Sequence, residues 1–90
     1  MEITDSKRKN KRFLATFANG DKIHFGQRDG NTYVDSGNKK KREAYLARHG
    51  AGREDWASPY TAGSLSRWIL WGSSTDLGAN IAFFKNKFRV

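Results

Sequence analysis

One apolar segment, Ser64 to Gly72, limits what this chain can fold into more than any other stretch. Its leucine, tryptophan and isoleucine side chains recur at i, i+3 and i+4, which is the spacing of one helix face. Further apolar residues spread around most of the helix, so a short helix here must be buried on several sides. We therefore predict a central core helix that begins at a Thr61 or Ser64 cap and ends with Gly72 in a left-handed conformation.

The two tryptophans of this segment, Trp68 and Trp71, allow a second interpretation, because exposed indole rings could stack on nucleic-acid bases. A domain of 90 residues has a small core and few other large side chains to fill it. We therefore predict that Trp68 belongs to the core and keep the stacking platform as the alternative. Trp56, in a loop predicted from Gly50 to Tyr60, is expected to cover the core from outside.

A β-hairpin is predicted from Phe13 to Phe25 around Asn19-Gly20. A two-residue loop would mix apolar and charged residues on one face. A three-residue loop over residues 18–20 instead places apolar side chains on one face and leaves the other face polar apart from a leucine. Gly20 would then occupy the left-handed bulge position of such loops, and we predict this register. The apolar face would hold Phe13, Ala15, Phe17, Ile23 and Phe25.

The remaining elements follow from periodicity and caps. Met1 to Asn10 has no periodic pattern and is predicted to be a flexible basic arm, followed by a single small domain over residues 11–90. Asn31 to Asp35 is predicted as a short third strand, and Lys39 to His49 as a helix. A last amphipathic helix is predicted from Asp76 to Phe88, the clearest such pattern in the chain. The fold class is therefore α+β, a hairpin or three-stranded antiparallel sheet packed against about three helices.

Positive charge is concentrated in two clusters. The formal net charge is +8, and nine of the seventeen lysines and arginines lie in these clusters. Basic clusters favour polyanions, either nucleic-acid phosphates or an acidic protein surface, over a purely solubilising role. The predicted binding residues are Lys7, Arg8, Lys9, Lys11 and Arg12 in the first cluster and Lys39, Lys40, Lys41 and Arg42 in the second.

No pattern of catalytic or metal-binding residues is found. His24 and His49 have no metal-ligand spacing, and cysteine is absent. A triad of His49 and Asp55 with Ser64 or Ser66 would lack a nucleophile elbow, and no phosphate-binding glycine motif is present. We therefore predict a non-enzymatic protein with no metal, no cofactor and no small-molecule substrate. The chain has neither a long apolar run nor an apolar signal segment, so an intracellular, non-membrane location is predicted.

Arg67 stands alone among apolar neighbours, and a buried guanidinium needs a partner. We predict an internal ion pair, with Glu54 as the first candidate and Asp55 or Asp35 as the others. An external phosphate is the alternative partner.

The chain resembles a family of small, uncharacterised basic proteins encoded by nucleocytoplasmic large DNA viruses and related marine viral sequences. The resemblance runs from about Arg12 to Phe88, and its most specific part is Thr61 to Trp71. Matching residues outside that string are Phe25-Gly26, Tyr45, Arg48-His49, Glu54 and Trp56, whereas Asp35 to Gly37 departs from the pattern. The resemblance implies a viral context, with no assigned enzyme activity and no catalytic residues.

Charge pattern and resemblance together predict a virion-associated protein that acts inside the infected host cell. Our first expectation is a protein that holds nucleic acid through its basic clusters, at backbone phosphates and without base specificity. The alternative is a minor capsid or cement protein whose basic arm lies on an acidic capsid surface.

Overall fold

The computed structural model describes residues 1–50, 52 and 54–90. Three strands, β1 (Glu2–Asp5), β2 (Lys11–Thr16) and β3 (Lys22–Gln27), form an antiparallel sheet in the order β1-β2-β3. Among the described residues, four α-helices follow: α1 (Tyr33–Ser36), α2 (Lys39–Gly50), α3 (Ala62–Leu65) and α4 (Leu77–Phe88). A π-helical segment (Ser66–Leu70) continues directly from α3. The predicted α+β class, a three-stranded antiparallel sheet with helices, is confirmed.

The hairpin has the predicted register. Phe13 pairs with Phe25, and Ala15 pairs with Ile23. The loop closes where the Phe17 N–H donates to the Asp21 carbonyl at 2.9 Å. Gly20 has a φ of +94°, the left-handed region that the three-residue loop requires. The apolar face therefore selects the register, as a one-residue slip would turn these side chains away from the core.

The third strand of the sheet precedes the hairpin in the chain, whereas the predicted third strand follows the hairpin. Glu2–Asp5, which lies within the predicted flexible arm, pairs with β2 and places Ile3 opposite Ala15. The predicted strand over Asn31 to Asp35 is wrong, because Tyr33–Ser36 forms one helical turn. A capping box explains this turn: the Asp35 carboxylate accepts from the Thr32 N–H at 2.9 Å, at the helix start.

The core lies between the inner face of the sheet and the segment that the sequence predicts as central. Leu65, Ile69 and Leu70 are buried, as expected for a helix that is apolar nearly all round. They pack with Ala15 and Phe25 of the sheet, with Phe17 directly after β2 and with Phe84 of α4. Trp68 and Trp71 pack against this core and are only partly buried, so Trp68 is less enclosed than predicted.

Side-chain caps fix the starts of α3 and α4. The Thr61 side chain accepts from the Ser64 N–H at 3.0 Å at the start of α3, and Asp76 caps α4 in the same way. α2 covers the predicted helix from Lys39 to His49 and ends one residue later. The predicted loop from Gly50 to Tyr60 includes Ala51 and Arg53, which lie outside the described residues; residues 54–60 carry neither helix nor strand.

Gly72 ends the central segment for a different reason from the one predicted. It is absent from the residues that have a positive φ in the described chain, so it is not a left-handed cap. A Cβ atom at this position would clash with the Trp68 carbonyl oxygen and would lie 2.8 Å from the Asn80 side chain. Glycine is therefore required because the backbone of residue 72 is in close contact with its neighbours.

Candidate nucleic-acid interface

A cleft of about 590 Å³ opens where α2 and α3 meet the end of β3. Its walls carry three cationic side chains, Lys11, Lys41 and Arg48. Lys11 belongs to the first basic cluster and Lys41 to the second, although 30 positions separate them in the chain. The fold therefore brings members of both clusters to one concave surface, which attracts anions more strongly than either cluster would alone.

Arg48 is a cleft residue that the charge clusters did not indicate. It lies in the last turn of α2, about two turns beyond Lys41 in sequence. The sequence signal that could have found it is helical spacing: residues 41, 45, 48 and 49 share one face of α2. All four residues line the cleft.

The rest of the first cluster surrounds the turn between β1 and β2. Lys7, Arg8 and Lys9 are exposed. The guanidinium of Arg28 holds this turn in place, donating to the Lys9 carbonyl at 3.1 Å, to the Ser6 carbonyl at 2.7 Å and to the Arg8 carbonyl at 3.0 Å. The three cationic side chains are thus presented from a turn with a fixed backbone.

Arg12, predicted to bind phosphate, is occupied within the protein. Its guanidinium donates to both oxygens of the Asp35 carboxylate, each at 2.8 Å. This bidentate pair raises the pKa of Arg12. The hydrogen bonds from Arg12 hold the pKa of the Asp35 carboxyl well below its ordinary value, against a smaller opposing effect of burial. Arg12 therefore joins β2 to α1, which corrects its assignment to the binding surface.

Arg42 is occupied as well. Its Nε donates to the Trp71 carbonyl at 3.2 Å and to the Gly72 carbonyl at 2.9 Å, at the end of the π-helical segment. The guanidinium also lies 5.6 Å from the centre of the Tyr33 ring. Arg42 is half-buried and satisfies backbone carbonyls, so its prediction as a phosphate ligand is corrected, whereas Lys39, Lys40 and Lys41 are exposed.

An aromatic stack forms one wall of the cleft. The Tyr45 and Trp71 rings lie 4.4 Å apart with planes 4° from parallel, and His49 stacks on Tyr45 at 4.5 Å. Burial raises the pKa of the Tyr45 phenol, and the negative charge of Glu54 raises it further. The phenol therefore stays neutral at physiological pH and gives the wall a stable apolar surface.

Glu54 does not pair with Arg67, which corrects the predicted ion pair. One Glu54 oxygen lies 3.1 Å from His49 Nδ1, and the other accepts from Trp56 Nε1 at 2.9 Å. Arg67 instead donates from Nη1 to the Trp71 carbonyl at 3.1 Å. In the described part of the chain, the salt bridges are Arg12–Asp35 and His49–Glu54.

Two indole rings surround the Arg67 guanidinium. Its Cζ lies 4.1 Å from the centre of the Trp68 ring and 5.2 Å from that of Trp56. Its Nε is buried with no hydrogen-bond partner among the described residues. Burial lowers the pKa of this guanidinium, and the charge of Arg42 lowers it further. Ring faces thus replace the carboxylate that the sequence led us to expect, since a cation is attracted to the electron-rich face of an indole.

Within residues 1–50, 52 and 54–90, no three histidine, aspartate or glutamate side chains lie close enough to hold a metal ion. The same residues include no helix of sufficient length and apolar character to cross a membrane.

Comparison with known proteins identifies a family for the first half of the chain. Neither the curated proteins nor the solved structures contain a significant relative of this chain. Residues 1–49, which include the whole sheet and nearly all of α2, match a family of unknown function (DUF5754). The match covers more than half of the chain, so the protein belongs to this family of unknown function.

Proposed function

We propose that this chain is a non-enzymatic nucleic-acid-binding protein of a large DNA virus. It acts inside the infected host cell and is packaged in the virion. The observation that supports this proposal is the cleft in which Lys11, Lys41 and Arg48 lie together. Three cations on one concave surface fit the closely spaced phosphates of a nucleic-acid backbone.

The chemistry of the cleft favours backbone contacts. Lysine ammonium groups bind phosphate as point charges and do not distinguish one base from another. Exposed Lys39 and Lys40 extend the charged surface beyond the cleft at the start of α2. This end of a helix carries positive partial charge, so the lysines there add to an already anion-attracting field. The proposed function is therefore binding without base specificity.

The viral part of the proposal is supported by the resemblance over Arg12 to Phe88, and above all by Thr61 to Trp71. The structure gives that string a physical role. Thr61 caps α3, and Trp71 forms a wall of the cleft. Gly63 lets the Glu54 side chain pack against α3, since a Cβ there would lie 2.8 Å from a Glu54 oxygen.

The test is binding of the full chain to two unrelated DNA duplexes, measured by fluorescence anisotropy at low salt. We expect equal affinity for both duplexes. We expect Lys41→Gln and Arg48→Gln each to weaken binding to both duplexes by the same factor. Lys22→Gln is the matched control, because Lys22 is exposed on β3 and belongs to neither cluster. Absence of binding to duplex and to single-stranded nucleic acid at low salt would refute the proposal.

A second candidate, a minor capsid or cement protein, is favoured by two exposed aromatic side chains. Tyr60 is 43% exposed and Phe83 is 50% exposed. Aromatic residues are enriched in protein–protein interfaces relative to the rest of the surface. A pull-down from disassembled virus particles distinguishes the two candidates: recovery of a major shell protein, together with no duplex binding, would establish the cement function instead.

A further inference from the structure

A second groove lies outside the cleft, between the loop that carries Trp56 and the end of α4. Its volume is about 500 Å³, and its lining residues are Trp56, Ala57, Trp68, Lys87 and Phe88. Three of these five side chains are aromatic, one is cationic, and none is acidic. The Trp68 indole N–H donates to the Trp56 carbonyl at 3.0 Å, which fixes one wall of the groove relative to the other.

The aromatic surface continues out of the groove along α4. The Phe83 ring lies 6.0 Å from the Trp68 ring and is 50% exposed, a large exposure for a phenylalanine. Phe88 meets the same indole at 6.5 Å in an edge-to-face arrangement. Half of the Phe83 side chain therefore remains open to solvent, and this exposed ring surface packs against no other part of the chain that the structure describes.

Two cationic side chains, Lys87 and Arg67, lie over aromatic rings of the groove. Lys87 Nζ is 4.8 Å from the centre of the Trp68 ring and 5.5 Å from that of Phe88. Arg67 lies 4.1 Å from the same indole. A ligand that combines flat rings with negative charge would stack on the open Phe83 ring at the edge of the groove and pair with the Lys87 ammonium group. Successive nucleotides of a single strand have this combination of groups.

Trp56 connects this groove to the cleft. Its ring is nearly parallel to Tyr45, at 13° and 6.4 Å, and its indole N–H donates to Glu54, a residue of the cleft. A backbone held in the cleft by Lys41 and Arg48 therefore has an aromatic groove next to it. Bases in a duplex are already stacked and paired, so only unpaired bases can use such a groove.

We propose that the groove between Trp56 and Trp68, with Phe83 beside it, binds unpaired bases of single-stranded nucleic acid by stacking. This inference rests on the proposed nucleic-acid binding and specifies its ligand as single-stranded. Stacking does not depend on base identity, which agrees with binding that lacks base specificity. DNA and RNA strands share the required chemistry.

The test compares labelled strands of about 12 nucleotides, a length within the usual site size of single-strand-binding domains. The strands are oligo-dT, oligo-U, an abasic deoxyribose-phosphate strand and a duplex. We expect the two strands with bases to bind the full chain more tightly than the abasic strand, which has the same charge. Oligo-dT and oligo-U, but not the abasic strand, should quench tryptophan fluorescence, and the tighter of the two identifies DNA or RNA as the preferred strand.

Phe83→Ala tests the groove with little risk to folding, because half of this side chain is already exposed. It should weaken binding of the strands with bases by about 5- to 150-fold, the range for loss of one stacked base, and leave abasic and duplex binding unchanged. Tyr60→Ala is the matched control, because Tyr60 is an exposed aromatic residue whose ring packs on Phe17, whereas the Phe83 ring packs on Trp68 of the groove. Trp68→Phe, which keeps a ring, should retain more affinity than Trp68→Ala, with thermal melts of both variants to confirm folding.

The outcomes separate this inference from the proposed function. Equal affinity for oligo-dT, oligo-U and the abasic strand, without quenching and without an effect of Phe83→Ala, would overturn the groove proposal while duplex binding continued to support the proposed function. Absence of binding to every strand would overturn both. Capture of a major shell protein that Phe83→Ala abolishes, with no base-dependent binding, would assign Phe83 to a protein interface and also overturn the groove proposal.

Discussion

Asn80 is a buried polar side chain that holds the end of the π-helical segment. Its amide nitrogen donates to the Ile69 carbonyl at 3.0 Å and to the Ser74 carbonyl at 2.7 Å, and its oxygen accepts from the Ser74 N–H at 3.2 Å. A π-helical turn leaves carbonyl groups without the usual helical donors. Asn80 therefore supplies from α4 the donors that the central segment lacks.

Replacing Asn80 with alanine should lower the free energy of unfolding by about 1–3 kcal/mol, because the buried Ile69 carbonyl would lose its partner. Urea unfolding followed by circular dichroism measures the change. Asn86→Ala is the matched control, since Asn86 is exposed on the same helix, and it should leave the unfolding free energy nearly unchanged. Equal effects of the two substitutions would contradict this role of Asn80.

The ion pair between Arg12 and Asp35 makes stability depend on pH. The pKa of Asp35 is lower in the folded protein than its ordinary value of 3.8. A carboxyl whose folded pKa is lowered adds stability at pH values above the unfolded pKa, and that stability is lost as the pH falls below it. The unfolding midpoint in urea should therefore decrease from about pH 4 downward. The Asp35→Asn variant should show a smaller decrease over the same range, and an equal decrease would exclude the pair as its cause.

Among the secondary-structure elements, β1 contributes to the stability of the domain and is not a flexible arm. Ile3 faces Ala15 across the strand pair and packs against the core, whereas Thr4 is exposed. Ile3→Ala should lower the free energy of unfolding by about 1–2 kcal/mol, less than the loss at a fully buried isoleucine because Ile3 is only partly buried. Thr4→Ala is the control and should have little effect. Overlapping thermal melts of Ile3→Ala and the unmodified protein would restore the interpretation of residues 1–10 as an arm.

The elements with strong periodicity could be predicted from the sequence. The hairpin register follows from alternating apolar residues, and α4 follows from its apolar spacing and the Asp76 cap. β1 could not be predicted, because four residues with one large apolar side chain show too little alternation. Residues 31–35 contain strand-forming side chains, but the Thr32 and Asp35 hydrogen bonds favour a helical turn. Nothing in the sequence marked the π-helical segment.

The candidate site was predicted in part, since sequence shows where charges are and does not show what they pair with. Lys11 and Lys41 line the cleft. Arg12 and Arg42, in the same two clusters, satisfy a carboxylate and backbone carbonyls that are distant in sequence. Arg48 was missed because it stands outside both clusters. Charge clusters in the sequence therefore include two arginines, Arg12 and Arg42, that are paired within the protein, and they leave out Arg48, which lines the cleft.

For the whole molecule, the net charge of +8 and the shape of the cleft together predict how binding should respond to salt. The available cations are Lys11, Lys41 and Arg48 in the cleft and the exposed Lys39 and Lys40 at the start of α2. Five cations that each meet one phosphate would release the counterions of five phosphates. The slope of log affinity against log salt on duplex DNA should then be roughly −4 to −5, from about −0.9 for each phosphate.

Substitution of glutamine at Lys39, Lys40 and Lys41 should flatten this slope by up to about three units, since each lost contact removes about one. The change should be the same on unrelated duplexes, because phosphate contacts carry no sequence information. Lys22→Gln alters the charge of the molecule without touching the cleft, so its slope should match that of the unmodified protein. Salt titrations of the three proteins measure these slopes. If Lys22→Gln flattened the slope as much as loss of one cleft lysine, the net charge alone would explain binding, and the cleft would have no special role in it.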